Sequence, residues 1–90
     1  MMIIILEKVP VGLRGEIARW LLEPHSGIFV GNVSAMVRDK LWELACNKRD
    51  VGGCLMVFSA NNEQGFDIRV NGAIKRKVID VEGLKLILVD

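Results

Sequence analysis

The sequence predicts an α+β two-layer sandwich, and three observations predict it. Apolar runs of strand length open the chain at Met2, where they are rich in β-branched residues, and recur at Cys54 and Leu84. Two segments with helical spacing of apolar residues lie between the first run and the second. The resulting order is strand, helix, strand, helix, then further strands. That order stacks two helices on one face of one sheet, in a ferredoxin-like arrangement. With 90 residues there is room for one such domain over residues 1–90, whether alone or as part of a longer chain.

Met2 to Lys8 reads as a central strand, apolar enough to be covered. Pro10 ends it, because proline cannot donate to the ladder. Leu13 to Glu23 has helical spacing, with Leu13, Ile17, Trp20 and Leu21 on one face and Pro24 as the stop. Gly27 to Val30 is extended, as one strand or part of a bent pair. Ser34 is a good N-cap for a second helix over Ala35 to Asn47, with Val37, Leu41, Leu44 and Ala45 inward and Met36 and Trp42 on its flanks. Cys54 to Ala60 is a second apolar strand. The turn residues Asn61 to Gly65 then predict a hairpin into Phe66–Asp67–Ile68–Arg69–Val70–Asn71, which alternates apolar and polar. A polar connection from Gly72 to Gly83 leads to a last strand, Leu84 to Val89. This strand is surplus to the basic unit and needs a sheet edge to pair with, which can belong to another chain.

Composition narrows the function. Apolar residues make up 51% and charged residues 26%, which excludes intrinsic disorder. Twelve Lys and Arg against eleven Asp and Glu give a net charge of +1, so any nucleic-acid case rests on where the charges sit. The apolar start stops at Glu7 and lacks a basic region and cleavage site, so it does not read as a signal peptide. No run reaches the roughly 18 apolar residues of a membrane span. Two cysteines, Cys46 and Cys54, are too few for a disulfide scaffold and lack CxxC spacing. They read as reduced, buried thiols of a cytoplasmic protein. His25 is the single histidine and stands in a Pro24–Gly27 turn with no acidic neighbour, which fits a loop residue better than a metal ligand or triad base.

Two features can carry chemistry. Glu7 closes the first strand where it meets a loop, a place from which a carboxylate can hold Mg²⁺ with waters and a phosphate; a two-fold dimer would bring two such carboxylates together. As a solvated strand-end acid beside Lys8 it would have no such role. The basic residues form the second feature: Lys75, Arg76 and Lys77 in the polar connection, Arg14 at the first helix start, and Arg38 and Lys40 near the second. Cations near helix N-termini oppose the macrodipole, so a local task such as phosphate contact is one explanation. A solvated surface is the other.

The chain also carries a longer pattern. Glu7–Lys8–Val9–Pro10 precedes Leu13–Arg14–Gly15 and Trp20–Leu21–Leu22–Glu23. Gly27 to Ala35 continues it, followed by Arg38, Trp42, Asn61 to Phe66, Lys75–Arg76 and Asp80 to Leu84. In this order, and over nearly the whole length, the chain resembles the small CRISPR adaptation protein family, Cas two, of type I-E systems. The resemblance implies a ferredoxin-like homodimer seated between dimers of a larger CRISPR integrase subunit, holding a double-stranded protospacer during spacer acquisition. It implies duplex-backbone contacts from Arg14, Lys75 and Arg76, to which the basic pattern adds Lys77 and Arg38. Gly12 stands where a further basic residue is expected, so that contact is not carried over. It places integrase docking on the last strand, with Leu84, Leu86 and Leu88. The family is named for metal-dependent endonuclease activity, and Glu7 occupies the acidic position, with Mg as the implied metal.

Three readings follow. The leading one is a DNA-binding assembly subunit that performs no chemistry itself. The second is a metal-dependent endonuclease acting on RNA or DNA through Glu7 at the dimer interface. The third is a ferredoxin-like regulatory module.

Overall fold

The computed structural model describes residues 1–47 and 51–72. Its elements run β1 (Met2–Leu6), α1 (Val11–Ala18), β2 (Leu22–His25), β3 (Ile28–Gly31), α2 (Ala35–Cys46), β4 (Gly53–Ser59) and β5 (Phe66–Gly72). The sheet order is β2-β3-β1-β4-β5, and every neighbouring pair is antiparallel. β1 and β2 flank β3, and β3 and β4 flank β1, so each helix crosses over one strand. This is the ferredoxin-like sandwich, extended by β5 as a hairpin partner of β4. The expected strand Leu84 to Val89 lies outside the described residues.

Period-two alternation explains the apolar runs in β1 and β4. Met2, Ile4 and Leu6 face the helices together with Cys54, Met56 and Phe58, against Leu13, Ile17, Leu41 and Ala45. Ile5, Leu55, Val57 and Phe66 form a second buried cluster on the opposite face, with Ile3, Ile28 and Ile68 packed against it. A strand covered on both faces has no solvent side, so it reads as a continuous apolar run.

The first helix is shorter than its sequence spacing suggests. It ends at Ala18, not Glu23, and Pro24 lies inside β2 and does not stop the helix. Leu21 and Trp20 donate to Ile17 O at 3.0 Å, tightening the last turn and swinging the chain toward the sheet. Leu21 is buried, whereas Trp20, expected on the inner face, is 53% exposed. Pro24 is tolerated because β2 is the edge strand, and the register shifts between Leu22 and His25. The element between the helices is therefore a β2–β3 hairpin. Its turn needs Gly27: φ is +80°, and a Cβ there would lie 2.6 Å from Leu6 O.

The second helix and the last hairpin form as their residues dictate. Ser34 Oγ accepts from Val37 N at 3.2 Å, a cap worth about 1 kcal/mol. Leu41 and Ala45 are buried, with Val37, Trp42 and Leu44 packed beside them. Asn62 closes the β4–β5 loop, its Oδ1 accepting from Gly65 N at 2.8 Å and its Nδ2 donating to Phe66 O at 3.1 Å.

Cys54 sits inside this packing, 1% exposed. Burial, and then the neighbouring Cys46 sulfur, push its thiol up from an ordinary 9.0 to about 12. The folded state thus keeps a proton that the unfolded chain releases above pH 9.0. The stabilisation is fully present below that pH and is lost as pH rises toward about 12. Thermal melts should therefore show stability declining from pH 9 upward, with a smaller decline in Cys54→Ala, measured as the shift in Tm between neutral and alkaline buffer.

Candidate nucleic-acid interface

Glu7 follows β1 directly and its side chain is exposed. Its backbone is fixed: Glu7 N donates to Gly53 O and Lys8 N to Val51 O, both at 3.0 Å. The side chain stands over Gly52, where an added Cβ would come within 3.6 Å of Glu7 Cβ. Among the described residues, no three His, Cys, Asp or Glu side chains converge to hold a metal ion. One exposed carboxylate is not a self-sufficient Mg²⁺ site, because the ion prefers near-octahedral oxygen ligation. The described residues of one chain therefore do not fit the implied metal by themselves.

Arg14 lies in the first turn of α1, where the helix passes the β2–β3 hairpin. Its Nε stands 3.1 Å from Glu23 Oε1 and donates to Glu23 Oε2 at 3.2 Å. Glu23 also accepts from Gly27 N at 3.0 Å, so one carboxylate ties the helix start to the hairpin turn. The pair is partly open to solvent, with the Arg14 side chain 43% and the Glu23 side chain 20% exposed. His25 shares a shallow depression with both and with Ser26.

A second basic cluster joins α2 to β5. Arg38 Nε donates to Asp39 Oδ1 at 3.1 Å, and Arg69 Nη1 donates to the same oxygen at 2.8 Å. Both guanidinium groups stack on the Phe58 ring, 4.3 Å from its centroid for Arg38 and 4.8 Å for Arg69. Two like charges share this small space because the carboxylate bridges them and the ring presents a negative π face. Each exposed contact of this kind is worth about 0.5–1 kcal/mol. The Arg38 and then the Arg69 hydrogen bonds hold the Asp39 carboxyl below the usual carboxylate range. Its contribution is present above pH 3.8 and is lost as pH falls through the lowered value.

The predicted site residues thus separate. Arg38 is gathered into a cluster, Arg14 is paired with Glu23, and Glu7 stands apart at a strand end. Among the described residues no hydrogen bond or ion pair joins Arg14 to the Arg38 cluster. Lys75, Arg76, Lys77, Leu84, Leu86 and Leu88 lie outside the described residues. Sequence reasoning missed Arg69. Its alternation with Ile68 and Val70 marks a half-exposed strand, but the polar row Asp67–Arg69–Asn71 sits on the helix side. The register places Asp67 opposite Phe58 and Arg69 opposite Met56. The thirty-residue separation from Asp39 leaves no local signal.

Removing the bridging charge should release the two guanidinium groups. Asp39→Asn is expected to leave the melting temperature nearly unchanged, as for other exposed ion pairs. It should elute later than the unmodified protein from a heparin column in a salt gradient.

Comparison with known proteins supplies a family. The family described as CRISPR-associated protein (Cas_Cas2CT1978) matches residues 1–86. No helix among the described residues is long and apolar enough to cross a membrane. The chain belongs to the CRISPR-associated family Cas_Cas2CT1978.

Proposed function

We propose that this protein is a DNA-binding scaffold for spacer acquisition. Two copies present their arginines and lysines to the sugar–phosphate backbone of a duplex protospacer and bridge dimers of a larger integrase subunit. The observation that carries this reading is the family membership over residues 1–86. The stacked pair Arg38–Arg69 supports it. Guanidinium groups already ordered by Asp39 and Phe58 lose less side-chain entropy on meeting a phosphate than free ones do. Arg14, Lys75, Arg76 and Lys77 extend the cationic set. Contacts of this type ignore base sequence, which suits a scaffold that must accept any protospacer. The docking edge for the integrase falls on Leu84, Leu86 and Leu88.

Salt dependence tests the grip. Duplex affinity should fall steeply with salt, each neutralised phosphate contributing about 0.9 to the logarithmic slope. Replacing Lys75 and Arg76 together by alanine should reduce that slope by about two, and the Arg38→Ala, Arg69→Ala pair should do the same. An affinity that is flat in salt contradicts the reading.

A metal-dependent endonuclease is the second reading, favoured by the exposure of Glu7 on a backbone anchored to Gly53 and Val51. It requires cleavage of RNA or DNA that depends on added Mg²⁺ and disappears in Glu7→Ala. Cleavage that survives this substitution excludes Glu7 as its source. The family match lends no support to a general regulatory module.

A further inference from the structure

Cys46 and Cys54 are eight residues apart in sequence, without redox-motif spacing, yet the fold brings their sulfurs to 4.0 Å. Both are free thiols. Cys46 is the last residue of α2 and Cys54 the second of β4, so the two lie on different layers of the sandwich. A small cavity of about 140 Å³, lined by both cysteines with Gly52 and Asn71, opens beside them. Cys46 is half-buried, whereas Cys54 is closed off. These features do not depend on the DNA-binding reading.

We propose that Cys46 and Cys54 are an oxidative modification site, closing a reversible disulfide within one chain when they meet a small disulfide oxidant such as glutathione disulfide. The sulfurs must approach from 4.0 Å to a bond length of about 2.05 Å, a shift within reach of side-chain rotation at a helix terminus.

The order of attack follows from access. Cys46 gives up its proton, and its thiolate attacks one sulfur of the oxidant, expelling one glutathione thiolate and leaving a mixed disulfide on Cys46. Cys54, held protonated by its surroundings, loses its proton as its sulfur attacks the Cys46 sulfur and expels the second glutathione thiolate. Two cysteine thiols are oxidised, one glutathione disulfide is reduced to two thiols, and the protons released by the cysteines are taken up by the leaving thiolates. The closed bond ties the end of α2 to the strand segment that holds Glu7, because Gly53 O accepts from Glu7 N at 3.0 Å. Cys54 lies opposite Leu6 in the ladder, one position before Glu7.

The test treats the folded chain with glutathione disulfide and then labels remaining thiols with a maleimide. Intact-mass measurement should show a monomer that has lost two hydrogen atoms, takes up no label, and regains both labelling sites after dithiothreitol. Cys46→Ser keeps the test independent of folding defects at the buried position: its Cys54 should acquire glutathione at least ten-fold more slowly than Cys46 of the unmodified chain. A persistent glutathione adduct, a disulfide-linked dimer, two thiols that still label, or equal reactivity of Cys54 in Cys46→Ser overturns the proposal.

Discussion

The ladder formed by β1 and β4 constrains everything else. β1 is hydrogen-bonded on both edges, to β3 and β4, and apolar on both faces. Ile4 and Met56 are fully buried toward the helices, and Ile5 and Leu55 toward the other face. Each such side chain contributes about 1.5–3 kcal/mol through its removal from water. Among the described residues no polar or charged side chain is buried in this centre. The charged groups that the described residues present stand at the rim: Glu7 where β1 runs out, Arg14 at a helix start, and Arg38 and Arg69 where α2 meets β5.

The rim is ordered by what the core leaves exposed. Phe58 belongs to the buried cluster, yet its ring lies under two guanidinium groups. The same aromatic side chain therefore serves packing and charge placement. Asp39 adds a shared acceptor, and Glu23 performs the comparable task for Arg14 while fixing Gly27. Arg14, Arg38 and Arg69 are thus each aimed by an acid.

Much of the fold was legible because strand periodicity and helix capping are local. The run Met2 to Leu6, the Ser34 cap and the Asn61–Gly65 turn each carry their own instruction, and the sandwich follows from their order. The end of the first helix was not legible. Leu13, Ile17 and Leu21 keep helical spacing, and only the tertiary demand of the β2–β3 hairpin stops the helix at Ala18. Pro24, an apparent terminator, is an edge-strand residue. Of the candidate site, residue types near helix starts pointed to Arg14 and Arg38. Their acidic partners, the contribution of Arg69 and the meeting of Cys46 with Cys54 depend on register and on packing between layers, which leave no spacing to read.

The central claim is that the charged rim of this sandwich grips a phosphate backbone. The most direct measurement is a nuclear magnetic resonance titration that follows arginine Nε–H signals and backbone amides as duplex DNA is added. The account predicts movement at Arg14, Arg38 and Arg69 with the amides of Ile4, Ile5, Leu55 and Met56 unchanged. Arginine signals that stay still at saturating duplex, or shifts confined to the central ladder, would contradict it.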